Sequence, residues 1–112
     1  MRNRAEAQLS AAFKDYLAIA KPRCVYAAVP NGGSRNAIEA TNLKRQGVIP
    51  GAGDWVFTWD LGSGWIELKT DKGRLNPNQE AFRDTCQRLG VKYEVARSLD
   101  DAIRILQAWG RV

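Results

Sequence analysis

Two acidic residues and one lysine within residues 51–69 could act together chemically. Asp54 precedes a run of aromatic and β-branched residues, and Glu67 and Lys69 form a Glu-x-Lys pair further along the same stretch. Two carboxylates suit a hard cation such as Mg²⁺, which prefers one or two carboxylates together with water and a substrate phosphate. An ammonium group beside them could orient an attacking water or stabilise charge on a phosphate. These residue types therefore predict a hard-metal site with a lysine next to it.

The sequence around these residues predicts a β-hairpin. Aromatic and β-branched residues fill two short apolar runs, residues 55–59 and 65–68. The connection between the runs, residues 60–64, contains two glycines, as hairpin connections often do. A hairpin would bring the acid before the first strand close to the Glu-x-Lys pair in the second.

The alternation of side chains along a strand decides which charged groups can meet. Trp65, Glu67 and Lys69 share one face, and antiparallel pairing would place Asp54 opposite a residue close to Glu67 or Lys69. The competing interpretation is a solvated hairpin face, because Glu-x-Lys pairs are common. Two features favour the metal site. The charged pair interrupts an apolar strand, and the Gly- and Pro-containing residues 47–53 allow backbone or ligand to approach closely.

Composition indicates one small domain with a basic half. The chain has 112 residues, 17 Lys and Arg against 12 Asp and Glu, and a net charge of +5. Residues 1–50 hold eight basic and three acidic residues, whereas residues 51–112 hold nine of each. We therefore expect a single domain over residues 1–112 and a polyanionic partner, nucleic acid first. A basic protein without such a partner is the alternative.

The absence of histidine excludes several classes of enzyme. With no His in the chain, Ser-His-Asp and Cys-His hydrolysis and His-containing zinc sites are ruled out. Cys24 and Cys86 show no Cys-x-x-Cys spacing and lie in apolar patterns, so buried free thiols are expected. No secretory signal or membrane-length apolar run is visible, which predicts a cytoplasmic protein that does not act at a membrane.

The periodicities predict an α/β fold, a mixed β-sheet flanked by helices, with the element order α-β-α-β-β-α-β-α. The second helix has the least apolar inner face, because only Ile38 on it is clearly a core residue; a partner subunit could pack there. The predicted helices cover residues 3–20, 35–46, 76–89 and 98–109, and the predicted strands cover residues 24–29, 55–59, 65–68 and 91–96.

Around Asp54, Glu67 and Lys69 the chain resembles the VRR-NUC (virus-type replication–repair nuclease) family of the PD-(D/E)XK nuclease superfamily. The turn before Asp54 and the downstream glutamine make the resemblance more specific than the Asp…Glu-x-Lys core alone. It implies a restriction-endonuclease-like core and a metal-dependent phosphodiesterase that acts on DNA. The matching residues, in the family's order, are Glu6, Pro30-Asn31-Gly32-Gly33 with Arg35, Gly47-Val48-Ile49-Pro50-Gly51-Ala52-Gly53-Asp54, Glu67-Leu68-Lys69-Thr70 and Gln79.

The resemblance also implies a role for each site residue. Asp54 and Glu67 would bind one or two Mg²⁺ or Mn²⁺ ions, with the Leu68 carbonyl and the Glu6 carboxylate as further oxygen ligands. Lys69 would orient or help deprotonate the attacking water, and Gln79 would lie near the reacting phosphate or its water. Glu6 and Gln79 also have structural interpretations. Glu6 suits the first turn of a helix, and Gln79 could form a capping-box pair with Asn76.

Several residues are candidates for binding DNA. Successive backbone N–H groups in the loop at residues 30–34 could cradle a phosphate beside Arg35, although an ordinary turn before a helix explains the loop equally well. Lys44 could contact the DNA backbone or simply favour the helix C-terminus. The full set of predicted DNA-binding residues is Asn31, Gly32, Gly33, Arg35, Lys44, Lys72 and Arg74.

Small members of the family stand alone in phages and act on branched DNA. By resemblance we expect a homodimer with two active sites that cuts four-way junctions, in a phage or its bacterial host. Three alternatives remain: a catalytically silent DNA-binding module, a nuclease without structure selectivity, and a structural protein with an exposed Glu-x-Lys face. A sequence-specific restriction-type enzyme would need additional segments to read base edges, and none is evident.

Overall fold

The structure is a computed structural model that describes residues 3–30 and 37–112. The order of its elements is the predicted one. No helix in the described residues is both long and apolar enough to cross a membrane. The helices are α1 (Arg4–Ala20), α2 (Ala37–Arg45), α3 (Pro77–Arg88) and α4 (Leu99–Ala108), and the strands are β1 (Val25–Ala28), β2 (Trp55–Trp59), β3 (Gly62–Leu68) and β4 (Lys92–Ala96).

The four strands form one mixed sheet in the order β1-β2-β3-β4. β1, β2 and β3 pair antiparallel, and β4 pairs parallel to β3. The parallel strand requires a crossover, which α3 provides between β3 and β4. The predicted α/β fold with a mixed sheet flanked by helices is confirmed.

The hairpin between β2 and β3 is tighter than predicted. The sequence predicted a connection over residues 60–64, but Trp59 pairs with Gly62 and only Asp60 and Leu61 form the turn, the latter at φ 67°. Gly62 and Gly64 belong to β3. A Cβ at Gly64 would lie 2.5 Å from the Trp109 ring, so the glycine makes room for an indole and does not mark a loop.

The hydrophobic core lies between one face of the sheet and helices α1 and α4. Its largest fully buried side chains come from α1, α4 and the sheet, and the Phe13 ring contacts Trp55 edge-on with the centroids 5.4 Å apart. The opposite face of the sheet carries α3, where Trp65 of β3 meets Phe82 edge-on at 4.9 Å. The fully buried large residues are Phe13, Leu17, Phe57, Ile66, Leu68 and Leu106.

Helix α2 does not contribute to this core. None of its residues is buried, and Ile38 is 73% exposed, so the prediction that Ile38 is a core residue is wrong. The physical reason is that Ile38 and Leu43, the two large apolar side chains of this nine-residue helix, provide too little apolar surface to dock it firmly. Gly47, at φ 96°, follows the helix as the predicted C-terminal glycine.

Candidate active site

Asp54 and Glu67 lie on the same face of the sheet, directly opposite each other. Trp55 pairs with Ile66, so one step back along β2 and one step forward along β3 bring the two acids into register. Alternation points both away from the apolar core face. Asp54 is 7% exposed and Glu67 is 3% exposed, which is unusual for acidic residues that are not engaged with other groups. The predicted juxtaposition is confirmed.

A backbone hydrogen bond holds the Asp54 carboxylate. The Leu68 N–H donates to Asp54 Oδ2 at 2.7 Å. The Asp54 carbonyl in turn accepts a bond from the Val29 N–H at 2.8 Å, so the acid is tied to strands on both sides. A carboxylate that accepts such a backbone hydrogen bond is held in one orientation.

Lys69 completes the predicted trio. Its Nζ lies 4.0 Å from Glu67 Oε2, and the residue is 9% exposed. The Lys69 N–H donates to the Ala96 carbonyl at 3.0 Å, which extends the pairing with β4 by one residue. A Cβ at Gly73 would lie 3.3 Å from Lys69 Cδ, so the following loop covers the stem of the lysine.

Gln79 forms the predicted capping box and also contacts Glu67, whereas its role beside the reacting phosphate stays a prediction. Its Oε1 accepts a bond from the Asn76 N–H, and the Asn76 side chain accepts one from the Gln79 N–H, each at 2.9 Å. This is the predicted capping box at the start of α3. The Gln79 Nε2 also donates to Glu67 Oε2 at 3.0 Å. The cap therefore fixes an amide that orients a buried carboxylate.

The turn before Asp54 packs against the same end of α3. Gly51 has φ 85°, and a Cβ there would lie 2.3 Å from the Asn78 carbonyl oxygen. Ala52 and Gly53, the last two residues of the turn, are buried. The predicted close approach is thus made to the protein's own backbone, which gives the Gly- and Pro-containing turn a structural purpose as well.

Glu6 is not grouped with the other two acids. It lies at the third position of α1, where its backbone N–H donates to Asn3 Oδ1 and its carboxylate accepts a bond from Asn3 Nδ2, both at 2.8 Å. Within residues 3–30 and 37–112, no three His, Cys, Asp or Glu side chains form a group that could hold a metal ion. The structural interpretation of Glu6 as an acid of the first turn is confirmed, and its metal role stays a prediction.

The predicted DNA-binding residues are only partly described. Lys44, Lys72 and Arg74 are exposed. The loop that carries Lys72 is held by Arg97, whose Nη1 donates to the carbonyls of Thr70 and Gly73 at 2.8 and 2.7 Å. The remaining predicted DNA-binding residues, Asn31, Gly32, Gly33 and Arg35, lie outside the described residues.

Sequence reasoning missed one polar group that the structure places beside the acids. Tyr93 on β4 is 7% exposed, and its hydroxyl oxygen is buried. Burial raises the pKa of Tyr93 well above its usual range, and the charges of Glu67 and Asp54 raise it further. Its alternation with outward Lys92 and Glu94 was visible in the sequence, but the parallel pairing that sets it beside Glu67 was not.

An open depression of about 450 Å³ lies elsewhere, between β4 and α4, and its lining includes Arg97, Asp101 and Trp109. It contains none of the predicted catalytic residues. The buried acids and the lysine beside them define the candidate site better than concavity does, because they are the groups that could do chemistry.

Comparison with known proteins identifies the family. The family model of the VRR-NUC domain matches residues 4–100. The chain belongs to the VRR-NUC family. A solved structure described as a VRR_NUC domain protein has the same fold, with a TM-score of 0.73 at 19% identity over 96% of this chain and 89% of that one. No curated protein matches the chain in sequence.

Membership of the VRR-NUC family agrees with the arrangement of the site. The family is nuclease-related, so the chain is a DNA-binding domain of the nuclease type. The fold is PD-(D/E)XK-like, and the two strands at the middle of the sheet, β2 and β3, are antiparallel. In this VRR-NUC domain, Asp54 directly precedes β2, Glu67 lies in β3, and Lys69 directly follows β3.

Proposed function

We propose that the chain is a Mg²⁺- or Mn²⁺-dependent endodeoxyribonuclease that hydrolyses phosphodiester bonds, and that residues 1–112 form a single nuclease domain. The observation that supports this most directly is the buried pair of Asp54 and Glu67 with Lys69 Nζ 4.0 Å from the Glu67 carboxylate. Two buried acids are costly to a fold unless they hold a cation or are fully hydrogen-bonded. A nuclease of this kind uses both acids and the lysine.

The donor set fits a divalent metal. Asp54 and Glu67 supply hard oxygens from opposing strand positions, and Mg²⁺ needs only one or two carboxylates beside water and phosphate. The Leu68 N–H points to Asp54, and because the N–H and C=O of one strand residue face the same side, its carbonyl is directed there too. Glu6 would contribute through water. When bound, the metal would acidify water and offset charge on the phosphate.

The other polar groups have separate tasks in this proposal. Lys69, whose ammonium lies beside Glu67, donates a hydrogen bond that orients the attacking water, or, as the neutral amine, takes the proton that this water loses. Gln79 holds the Glu67 carboxylate through its amide N–H and would help to position the scissile phosphate. Asp54 is kept in place by the backbone of Leu68.

DNA would bind across the basic surface around these residues. Lys72 and Arg74 follow Lys69 directly in the chain and are exposed, and Lys44 near the end of α2 is also exposed. The Val29 N–H bonds the Asp54 carbonyl, so the chain lies beside Asp54 two residues before the predicted phosphate-binding residues Asn31, Gly32, Gly33 and Arg35, which are outside the described part of the chain. The net charge of +5 favours a polyanion.

The substrate we propose is branched DNA, cut by a homodimer. Paired cuts across a four-way junction need two active sites at a fixed separation, which a symmetric dimer provides. Helix α2 has no buried residue, and Ile38 and Ile49 are 73% and 57% exposed, so an apolar surface is available for a second copy. Cys24 and Cys86 are both free, which agrees with a reducing cytoplasm of a phage-infected or bacterial cell.

The test is cleavage of labelled DNA by three variants. Four-way junction, flap, linear duplex and single strand are incubated with Mg²⁺, Mn²⁺ or EDTA. Glu67→Gln and Asp54→Asn replace the buried acids by amides of the same shape, and Asp60→Asn makes the same change at the exposed hairpin turn. We expect metal-dependent paired nicks in the junction with wild type and Asp60→Asn, and none with the other two variants.

Each other outcome has a definite meaning. Equal cutting of every duplex would keep the nuclease and remove the preference for branched DNA. Cutting by Asp54→Asn or Glu67→Gln at the wild-type rate would show that the acid pair is not the catalytic centre. Binding of DNA without cutting under any metal would leave a catalytically silent DNA-binding module.

A further inference from the structure

Tyr93 lies on the same face of the sheet as the two acids. It pairs with Trp65 in the parallel register of β3 and β4, while Glu67 pairs with Val95. Trp65 and Glu67 share a face of β3, so Tyr93 and Glu67 are diagonal neighbours on one side of the sheet. Such diagonal neighbours lie about 7–8 Å apart, a distance that an aromatic side chain can span.

The packing of Tyr93 does not require its hydroxyl. The ring meets Phe82 of α3 with the centroids 6.2 Å apart, and Phe82 in turn packs edge-on against Trp65. A phenylalanine would make the same ring contacts. The hydroxyl oxygen is buried, and no group in residues 3–30 or 37–112 forms a hydrogen bond with it. Burial of an unbonded hydroxyl destabilises a fold, so its presence calls for a partner outside these contacts.

The charges around the hydroxyl indicate what that partner is. Glu67 is the diagonal neighbour of Tyr93 on this face of the sheet, and Asp54 lies directly opposite Glu67 on the same face. A tyrosine hydroxyl can donate a hydrogen bond, whereas ionised carboxylates only accept hydrogen bonds. A donor buried beside two acceptors is suited to orienting them.

We propose that Tyr93 is a positioning residue of the cation site: in the loaded site its hydroxyl donates a hydrogen bond to the Glu67 carboxylate, directly or through one ordered water. This inference rests on the proposed function, because it assumes that Asp54 and Glu67 hold the cation. The role resembles the outer hydrogen bonds that orient the ligands of metal sites generally. Tyr93 itself touches neither the metal nor the DNA.

The proposal gives the hydroxyl opposite effects in the two states of the site. Without metal it is a buried group with no bond and lowers stability. With metal it gains a bond and strengthens cation binding. A residue that only fills space would affect both states alike, so the two measurements together distinguish the roles.

The experiment compares Tyr93→Phe with Tyr26→Phe, which deletes the same atom from the opposite face of the sheet. Tyr26 packs against Trp55 and Phe57, each with ring centroids 6.3 Å apart. The melting temperature is measured in EDTA, and Mn²⁺ affinity is measured by titration calorimetry without DNA. Neither readout depends on cleavage.

We expect Tyr93→Phe to melt in EDTA at or above the wild-type temperature and to bind Mn²⁺ on the order of tenfold more weakly. Tyr26→Phe should bind Mn²⁺ as wild type does. Unchanged Mn²⁺ affinity in Tyr93→Phe would overturn this inference and leave the proposed metal site standing. So would a metal-free melting temperature clearly below that of Tyr26→Phe, since the hydroxyl would then be bonded without metal. A wild-type protein that binds no Mn²⁺ would overturn the proposed metal site and this inference together.

Discussion

At the scale of single residues, the Glu67 carboxylate is the point where the polar groups of the site converge. Lys69 and Gln79 both approach its Oε2, the first at 4.0 Å and the second at 3.0 Å. One group supplies charge and the other supplies a directional hydrogen bond. The two contributions can be separated by substitutions that leave the surrounding packing in place.

Replacing Lys69 by methionine tests the charge. Methionine keeps an unbranched stem beneath Gly73 but removes the ammonium. We expect the protein to fold and to bind DNA, and single-turnover cleavage to fall by about 100-fold or more, the size of a lost proton-transfer or charge-stabilising group. Lys92→Met, at an exposed position of β4, is the matched control and should cut normally. Cleavage by Lys69→Met within a few-fold of wild type would remove the lysine from the mechanism.

Gln79 and Asn76 form a pair of variants that separates the cap from the site. Both Gln79→Ala and Asn76→Ala break the capping box and should lower the free energy of unfolding by about 1 kcal/mol. Only Gln79→Ala also removes the bond to Glu67, so only this variant should lose substantial cleavage activity. Urea unfolding and cleavage of one junction substrate measure the two effects. Equal activity of the two variants would mean that the amide serves the helix alone.

At the scale of elements, the site depends on how the turn at residues 47–53 docks on α3. The start of α3 receives the turn through Gly51 and presents Gln79 to β3. Asp54 follows the turn directly, so its position is set by this docking as well as by the sheet. The Arg97 bonds to the carbonyls of Thr70 and Gly73 hold the loop on the other side of Lys69 in a similar way.

Alanine at Gly51 tests this docking. The residue has φ 85°, and the new Cβ would lie 2.3 Å from the Asn78 carbonyl oxygen. Backbone strain and a steric collision would therefore both destabilise the variant. At Gly90 φ is 76° and nothing lies within 4 Å, so Gly90→Ala measures the strain alone, about 1 kcal/mol. We expect Gly51→Ala to unfold at clearly lower urea than Gly90→Ala and to cut more slowly. Similar midpoints for the two variants would show that the turn can move away from α3 at little cost.

At the scale of the whole molecule, the two faces of the sheet have different uses. One face supports the apolar core beneath α1 and α4, and the other holds the acids, Lys69 and Tyr93 against α3. Neighbouring residues of β3 face opposite sides of the sheet, so one strand contributes side chains both to the core and to the polar site. Helix α2 stands apart from both faces as a surface without buried residues.

The proposed homodimer predicts a solution mass twice that of the 12.5 kDa chain. Light scattering at micromolar concentration should show this mass, and Ile38→Glu should shift it to the monomer by placing a charge in the exposed apolar surface of α2. Leu61→Glu changes an even more exposed apolar residue at the hairpin turn and should leave the dimer intact. A wild-type monomer would rule out the dimer, and an unaffected Ile38→Glu dimer would place the interface elsewhere.

The sequence by itself determined the order of elements and the local rules that place Asp54, Glu67 and Lys69. These follow from periodicity, turn chemistry and capping, which act over a few residues: the capping box of Asn76 and Gln79 and the alternation of Trp65, Glu67 and Lys69 are both as predicted. The predicted extent of the hairpin turn was wrong because Gly64 belongs to β3, where it makes room for Trp109 from the far end of the chain. The prediction that Ile38 is a core residue was wrong because a helical side chain is buried only where another element packs against that helix.

Only the tertiary structure decided which distant groups meet. The bond from Gln79 to Glu67 and the position of Tyr93 beside the acids depend on how α3 and β4 dock on the sheet. A spacing of 3.6 or 2 residues gives the face on which a side chain lies, but not the element that will cover that face. The sequence therefore identified the acids and the lysine, and the packing of whole elements determined the groups that surround them.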